Sequence, residues 1–240
     1  MGQSLRGLDT GLLLTPSQLW FLPPGGCVRP SDDGAASEAI SSVLSSQERS
    51  WGAALPPLRR GLYWRSRLAM RRRLGAVLDL QPQQVPLHSP PGEPPRLASG
   101  CGWVSLSHAA EALLIAWSPQ PVGVDLEKCD RHVDARALMQ RFFPVAEQRQ
   151  LAALRDEALR RAVLRSWLCK EAAIKWRQRG LAQELSSWCL DHEQGLLSHG
   201  VEGIAVHPRE GRLEGWCWAA VGPGLEGTGR APVIWSDSGV

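Results

Sequence analysis

Lysine is nearly missing from this chain. Of its 27 basic side chains only Lys128, Lys170 and Lys175 are lysines; the remaining 24 are arginines. Long apolar runs are missing too. Leu113–Trp117 is far short of the roughly 20 residues that cross a bilayer, which excludes a membrane span. The N-terminus lacks a basic region followed by an apolar stretch and a small-residue cleavage site, so no export signal is expected and a cytoplasmic protein is. The six cysteines form no C-x-x-C pair, and their wide spacing argues against zinc. Scattered reduced thiols are the expectation. Charge of one sign is not in excess overall, at +3, so net charge alone selects no partner.

The local distribution says more. Residues 59–73 carry seven arginines and no acid, a concentrated field for anions. The three lysines sit inside two acid-bearing segments, Val122-Gly-Val-Asp-Leu-Glu-Lys128 and Trp167-Leu-Cys-Lys-Glu-Ala-Ala-Ile-Lys175. An ammonium is a compact, mobile point charge and a guanidinium a planar fork. Lysine retained at so few places suggests a task that arginine does not perform.

The pattern of apolar residues and turn formers predicts strands at 18–22, 103–107, 113–118, 122–127, 187–190, 203–207 and 215–221. Helices are predicted at 46–55, 59–78 and 135–142, with a longer helical region from 145 to 179 ended by Gly180. A long helix followed by strands in each half gives an α+β fold: two similar halves, helices packed on antiparallel sheets. The boundaries expected are 1–120, 121–224 and a loose tail over 225–240. Most of the eleven tryptophans are expected in the core.

In an extended strand Gly123, Asp125 and Glu127 share one face, with the two acids about 6.6–6.8 Å apart at Cα. Such a pair is either the wet face of a strand edge or two oxygen ligands for a hard cation. On the second segment Leu164, Trp167, Leu168, Glu171, Ile174 and Lys175 fall on one helical stripe, which sets Glu171 on or beside a buried face. A carboxylate there needs a partner. Lys175 one turn on is one; a cation shared with Asp125 and Glu127 is the other, and Mg²⁺ suits few carboxylates and a phosphate-bearing substrate.

These two segments closely resemble the signature motifs of the 4′-phosphopantetheinyl transferases, and the length resembles the Sfp type. Ser105-Leu-Ser-His108, Arg141-Phe-Phe-Pro-Val-Ala-Glu147 and Leu44-Ser-Ser-Gln-Glu48 with the arginines after it also resemble family segments. The resemblance runs over about 44–180. It implies transfer of the phosphopantetheine arm from coenzyme A to a serine of an apo acyl carrier protein or a synthase carrier domain, with release of adenosine 3′,5′-bisphosphate. It implies Mg²⁺ on Asp125, Glu127 and Glu171; Lys175, Glu171 and Glu147 in catalysis, Glu147 as base; and coenzyme A held by Ser107, His108, Lys170 and Lys175, with Arg65, then Arg60, on the 3′-phosphate. The other arginines of that helix are expected as solvated charge. His108 is placed where one strand turns into the next. The active site is expected in a cleft between halves of a monomer, with no nucleic acid and no membrane as partner. Gly92-Glu-Pro94 departs from the Gly-Lys-Pro often found in the family and reverses a charge there. A nucleic-acid binder using the arginines and a phosphoesterase using the carboxylates with water are the rival readings.

Overall fold

A computed structural model of the chain describes residues 15–24, 34–180, 184–225 and 233–234. It divides the chain into two compact units. The first takes in residues up to Val104, Ala110–Pro119 and the chain from Pro232; the second takes in Ser105–Ala109 and Gln120–Ala231.

In the first unit, β1 (Gln18–Leu22) is followed by α1 (Gly34–Val43), α2 (Ser46–Ala53) and α3 (Pro57–Leu78). Two-residue strands β2 (Leu87–His88) and β3 (Arg96–Leu97) pair antiparallel. After them come β4 (Trp103–Ala109), which belongs to the second unit from Ser105 on, and β5 (Ala112–Ser118). Strand β5 is wholly buried and lies antiparallel to β1, with Trp20 opposite Ile115. The reversal between β4 and β5 is at Ala110, whose φ of 48° is left-handed, so His108 lies within a strand rather than at the turn expected for it. Helix α2 begins with a capping box. The Ser45 hydroxyl accepts from the Glu48 backbone N–H, and Glu48 accepts from the Ser45 N–H at 2.9 Å.

Two arginines of α3 expected as solvated charge, Arg67 and Arg71, are buried instead, and so is Arg65, whereas Arg59 is exposed. Arg65, Arg67 and Arg71 are 2%, 6% and 2% exposed. Arg71 donates to Glu48 at 2.6 Å and to the carbonyls of Pro82 and Val85 at 3.0 and 3.1 Å. Arg67 donates twice to the Ser89 carbonyl and lies over the Tyr63 ring at 4.1 Å. A five-donor planar fork satisfies several loop carbonyls from one buried position, which a lysine does not.

In the second unit, β6 (Gly123–Lys128) leads to α4 (Ala135–Phe142), α5 (Val145–Leu151) and α6 (Asp156–Trp176). The single helical region expected from 145 is broken at residues 152–155. Its end is not set by Gly180: Gln178 takes the left-handed conformation at φ 53°, and its N–H and that of Arg179 return to the carbonyls of Lys175 and Ile174. Strands β7 (Trp188–Asp191), β8 (Leu196–His199) and β9 (Ala205–Val206) form one antiparallel sheet. Strands β10 (Arg209–Leu213), β11 (Trp216–Val221) and β6 form another, in the order β10–β11–β6. Helix α6 packs on β6, β11 and β7, and a core of Leu168, Ala172, Ile174, Trp188, Leu190 and Ala219 is buried around it. The tail expected to be loose contributes β12 (Val233–Ile234), which runs parallel to β1 in the first unit. Trp117, Trp188, Trp216 and Trp218 are core residues as expected, whereas Trp103 is 39% exposed.

The thiols depart from expectation as well. Cys129 and Cys217 form a disulfide, with Cα atoms 5.2 Å apart and a sequence separation of 88. Pairing of β6 with β11 sets Glu127 opposite Cys217, which brings the residue two beyond Glu127 to the same edge. Cys101, Cys169 and Cys189 are free thiols, and Cys27 lies outside the described residues. A crosslink closing so long a loop is expected to add about 2–4 kcal/mol. Cys217→Ser, or the reduced wild type, should lose that much in urea unfolding. Equal stability of the oxidised protein and the variant would remove the disulfide from the stabilising interactions.

Candidate active site

The site begins with a glycine. A β-carbon on Gly123 would run into the carbonyl oxygen of Ala172 and the backbone nitrogen of Trp176, and would lie 2.9 Å from the Trp176 Cα. Helix α6 therefore rests directly on β6, backbone against backbone. Sequence reading left that space to the acids; the helix fills it. The first four residues of β6 are buried, so the alternative of a wet strand edge is excluded for Asp125, which is 3% exposed.

This contact brings the two lysine-bearing segments together. Lys175 Nζ donates to Asp125 Oδ1 at 2.6 Å and to Ser107 Oγ at 3.1 Å, and the Ser107 hydroxyl donates to the same Asp125 oxygen at 2.6 Å. Glu171 lies 3.8 Å from Lys175, so the helical pair anticipated between them is the looser of the two lysine contacts. Burial first, then the charge of Asp125 and more weakly that of Glu127, push the Glu171 carboxyl up to about 7, against the opposing pull of Lys175. Burial and Asp125 likewise raise Glu127, while Arg131, paired with it at 2.8 Å, pulls it back. Three carboxylates thus feel one another across a small, partly dry volume.

Hard oxygen donors in a shared field are the donor set Mg²⁺ uses. Asp125, Glu127 and Glu171 supply oxygens of that kind. Their side chains are turned to Lys175, Ser107 and Arg131, and among the described residues no three acidic, histidine or cysteine side chains stand together at ligation geometry. His108, on the strand that supplies Ser107, is exposed. Ser107 and Arg131 are the partners that sequence reasoning missed in these roles. Arg131 lies four residues after Glu127, but outside either motif.

Comparison with known proteins places this geometry. Residues 121–218 match the model of the 4′-phosphopantetheinyl transferase superfamily. A Synechocystis sp. protein provisionally named a 4′-phosphopantetheinyl transferase is 28% identical over 179 residues, covering 72% of this chain and 70% of that protein. The Nostoc sp. 4′-phosphopantetheinyl transferase HetI is 32% identical over 150 residues, covering 60% of this chain and 63% of its own length. Residues 121–218 carry a domain of the 4′-phosphopantetheinyl transferase superfamily type.

Other residues expected to act in such a transferase lie elsewhere in this arrangement. Glu147 and Lys170 are both 0% exposed and 2.7 Å apart, with Lys170 Nζ 3.7 Å from the Phe143 ring centroid. Glu147 also accepts from the Leu190 N–H at 3.3 Å, which ties α5 to β7. Burial alone would raise the Glu147 carboxyl, yet it lies below its ordinary value. His192, at 3.8 Å, is too far for a hydrogen bond, so the lowering rests on Lys170. Burial in turn lowers Lys170, and Glu147 opposes that. A base for Glu147 and a cofactor contact for Lys170 find no support in this geometry, because both charges are enclosed and spent on each other. Arg65 is enclosed as well, whereas Arg60 keeps part of its exposure. Arg65 donates to the carbonyls of Glu111 and, at 2.6 Å, Pro23. Arg60 donates to those of Ala53 and Leu55 at 3.0 and 3.1 Å, at the C-terminal end of α2.

Two outcomes follow. Gly123→Ala should cost about 3 kcal/mol or more, since backbone rather than a flexible side chain must move, and urea unfolding reads it; a loss under 1 kcal/mol would mean that α6 stands off β6. Glu147→Gln should cost about 3–5 kcal/mol, because it leaves Lys170 buried and unpaired. A depressed carboxylate stabilises above its unfolded value of 4.5 and ceases to as pH falls through its lower folded value. The wild type should therefore lose stability more steeply than Glu147→Gln as pH falls from 4.5 through that lower value, and parallel pH profiles would contradict the pairing.

Proposed function

We propose that this protein transfers the 4′-phosphopantetheine arm of coenzyme A to a serine of an apo acyl carrier protein or carrier domain, as a monomeric Sfp-type enzyme of the cytoplasm. The observation that carries the reading is the cluster of Asp125, Lys175, Glu171 and Ser107, in which both signature segments meet. Asp125, Glu127 and Glu171 would hold Mg²⁺, which when bound neutralises charge on a diphosphate. The rest falls to the chain itself. Lys175 reaches Asp125 and Ser107 through a flexible stem and is 26% exposed at its side chain. It has donors to turn toward phosphate oxygens and stabilise charge that grows on them, the kind of preorganised electrostatics that dominates phosphoryl transfer. Ser107 holds Lys175 and Asp125 in register. Glu171, partly open at its side chain, is better placed than the enclosed Glu147 to meet a substrate hydroxyl.

Exposed His108 remains the residue placed to meet the cofactor, and the exposed Glu93 is where a lysine would add attraction for it. The 3′-phosphate contact passes from Arg65 to arginines of α3 that keep exposure, with Arg59 the most open.

Mass spectrometry of an apo acyl carrier protein incubated with the protein, coenzyme A and Mg²⁺ tests the reading. The expected result is an arm-sized mass gain, abolished by chelation and reduced about 100-fold or more by Lys175→Met or Glu171→Gln. Coenzyme A hydrolysis without modification of the carrier, or full activity of both variants, would overturn it.

A further inference from the structure

The second unit holds a cavity that the transfer reaction does not use. It lies where the N-terminal half of α6 meets edge strand β10, and its volume is 430 Å³. Cavities of about 300–1,000 Å³ take small organic ligands. Arg165 on its wall is six residues before Glu171, about 9 Å along the helix axis.

The floor is apolar. Leu164 and Leu168 of α6 are 5% and 4% exposed, and the Cys129–Cys217 disulfide completes it. The rim is cationic, with Arg161, Arg165 and Arg212 facing a single carboxylate, Glu210. Arg165 already answers that carboxylate. Its Nε donates to both Glu210 oxygens, at 2.8 and 2.9 Å, and its Nη1 to the His192 carbonyl at 3.0 Å. This bridge fixes one wall and leaves two guanidiniums in surplus. Arg161 shares Glu157 with Arg160, two cations on one acid. Arg212 is exposed, and among the described residues no carboxylate lies within ion-pair distance of it. Strand register sets Arg212 opposite Cys217, on the face that carries the disulfide. Surplus positive charge therefore stands over a dry floor.

We propose that this cavity binds an amphipathic carboxylate, its head on Arg212 and Arg161 and its flat or short apolar body over Leu164, Leu168 and the disulfide. Guanidinium forks match carboxylates in geometry and charge, and burying an apolar body on that floor adds a term that a bare anion lacks. Both parts are required of the ligand, which excludes simple inorganic anions and neutral hydrocarbons as good occupants.

The test is calorimetric titration of the full chain with 1-naphthoate, 1-naphthalenemethanol and acetate at one ionic strength. Naphthoate should saturate a single site and bind at least about tenfold more tightly than either control. The double variant Arg161→Gln, Arg212→Glu changes two rim residues, so it should unfold at the wild-type temperature. It should weaken naphthoate about tenfold or more and leave the alcohol unchanged. Equal affinity for naphthoate and the alcohol, no saturable naphthoate binding, or undiminished binding by the double variant would each overturn the assignment.

Discussion

The contact between Gly123 and the backbone of α6 is the constraint on which the second unit depends. A helix normally stands off a strand by the length of the side chains between them. Here the missing side chain lets the Ala172 carbonyl and the Trp176 nitrogen come down onto β6. That approach fixes α6 axially as well as radially. Asp125 follows two residues after Gly123 on the same face, and Glu171 and Lys175 flank the contact on α6. The ion pair at 2.6 Å is a consequence of the backbone fit rather than its cause.

Electrostatics in this protein divides between enclosed and open charge. Arg65, Arg67, Arg71, Glu48, Glu147 and Lys170 are buried and satisfied chiefly by carbonyls, by each other or by an aromatic face. They hold segments in place, and each would be costly to leave unpaired. Asp125 is buried too, but Glu171 and Lys175 crowded against it keep some exposure, and burial with the charge of Asp125 raises the Glu171 carboxyl. Arginine serves the enclosed group because one guanidinium reaches several fixed carbonyls. Lysine is kept where the charge has to turn. Lys170 is the exception, a lysine that is sealed.

Much was legible in the order of residues. Strand 18–22 and helix 135–142 lie where periodicity put them. The two lysine-bearing segments announced the site, because Asp125 and Glu127 alternate onto one face and Glu171 and Lys175 are one helical turn apart. What misled was exposure. Seven arginines within fifteen residues look like a solvated face, but the loop carbonyls of Pro82, Val85 and Ser89, brought in from later in the chain, turn Arg71 and Arg67 inward, and those of Pro23 and Glu111 hold Arg65. Glu147 and Lys170 took their expected roles from the family resemblance, and nothing local marks their enclosure. Strands β8 and β10 were missed, because Arg209–Leu213 is charged and half exposed and owes its conformation to pairing with β11.

The sequence by itself determined the α+β alternation and the family resemblance of residues 121–218, and it singled out the carboxylates and lysine of the candidate site, because those follow from local period, turn chemistry and short motifs. Tertiary structure alone decided which charges are spent internally, which cysteines join across a sequence separation of 88 and what fills the space beside Gly123. The physical reason is that a charge or a thiol is defined by its neighbours, and in this chain those neighbours come from segments far apart in sequence.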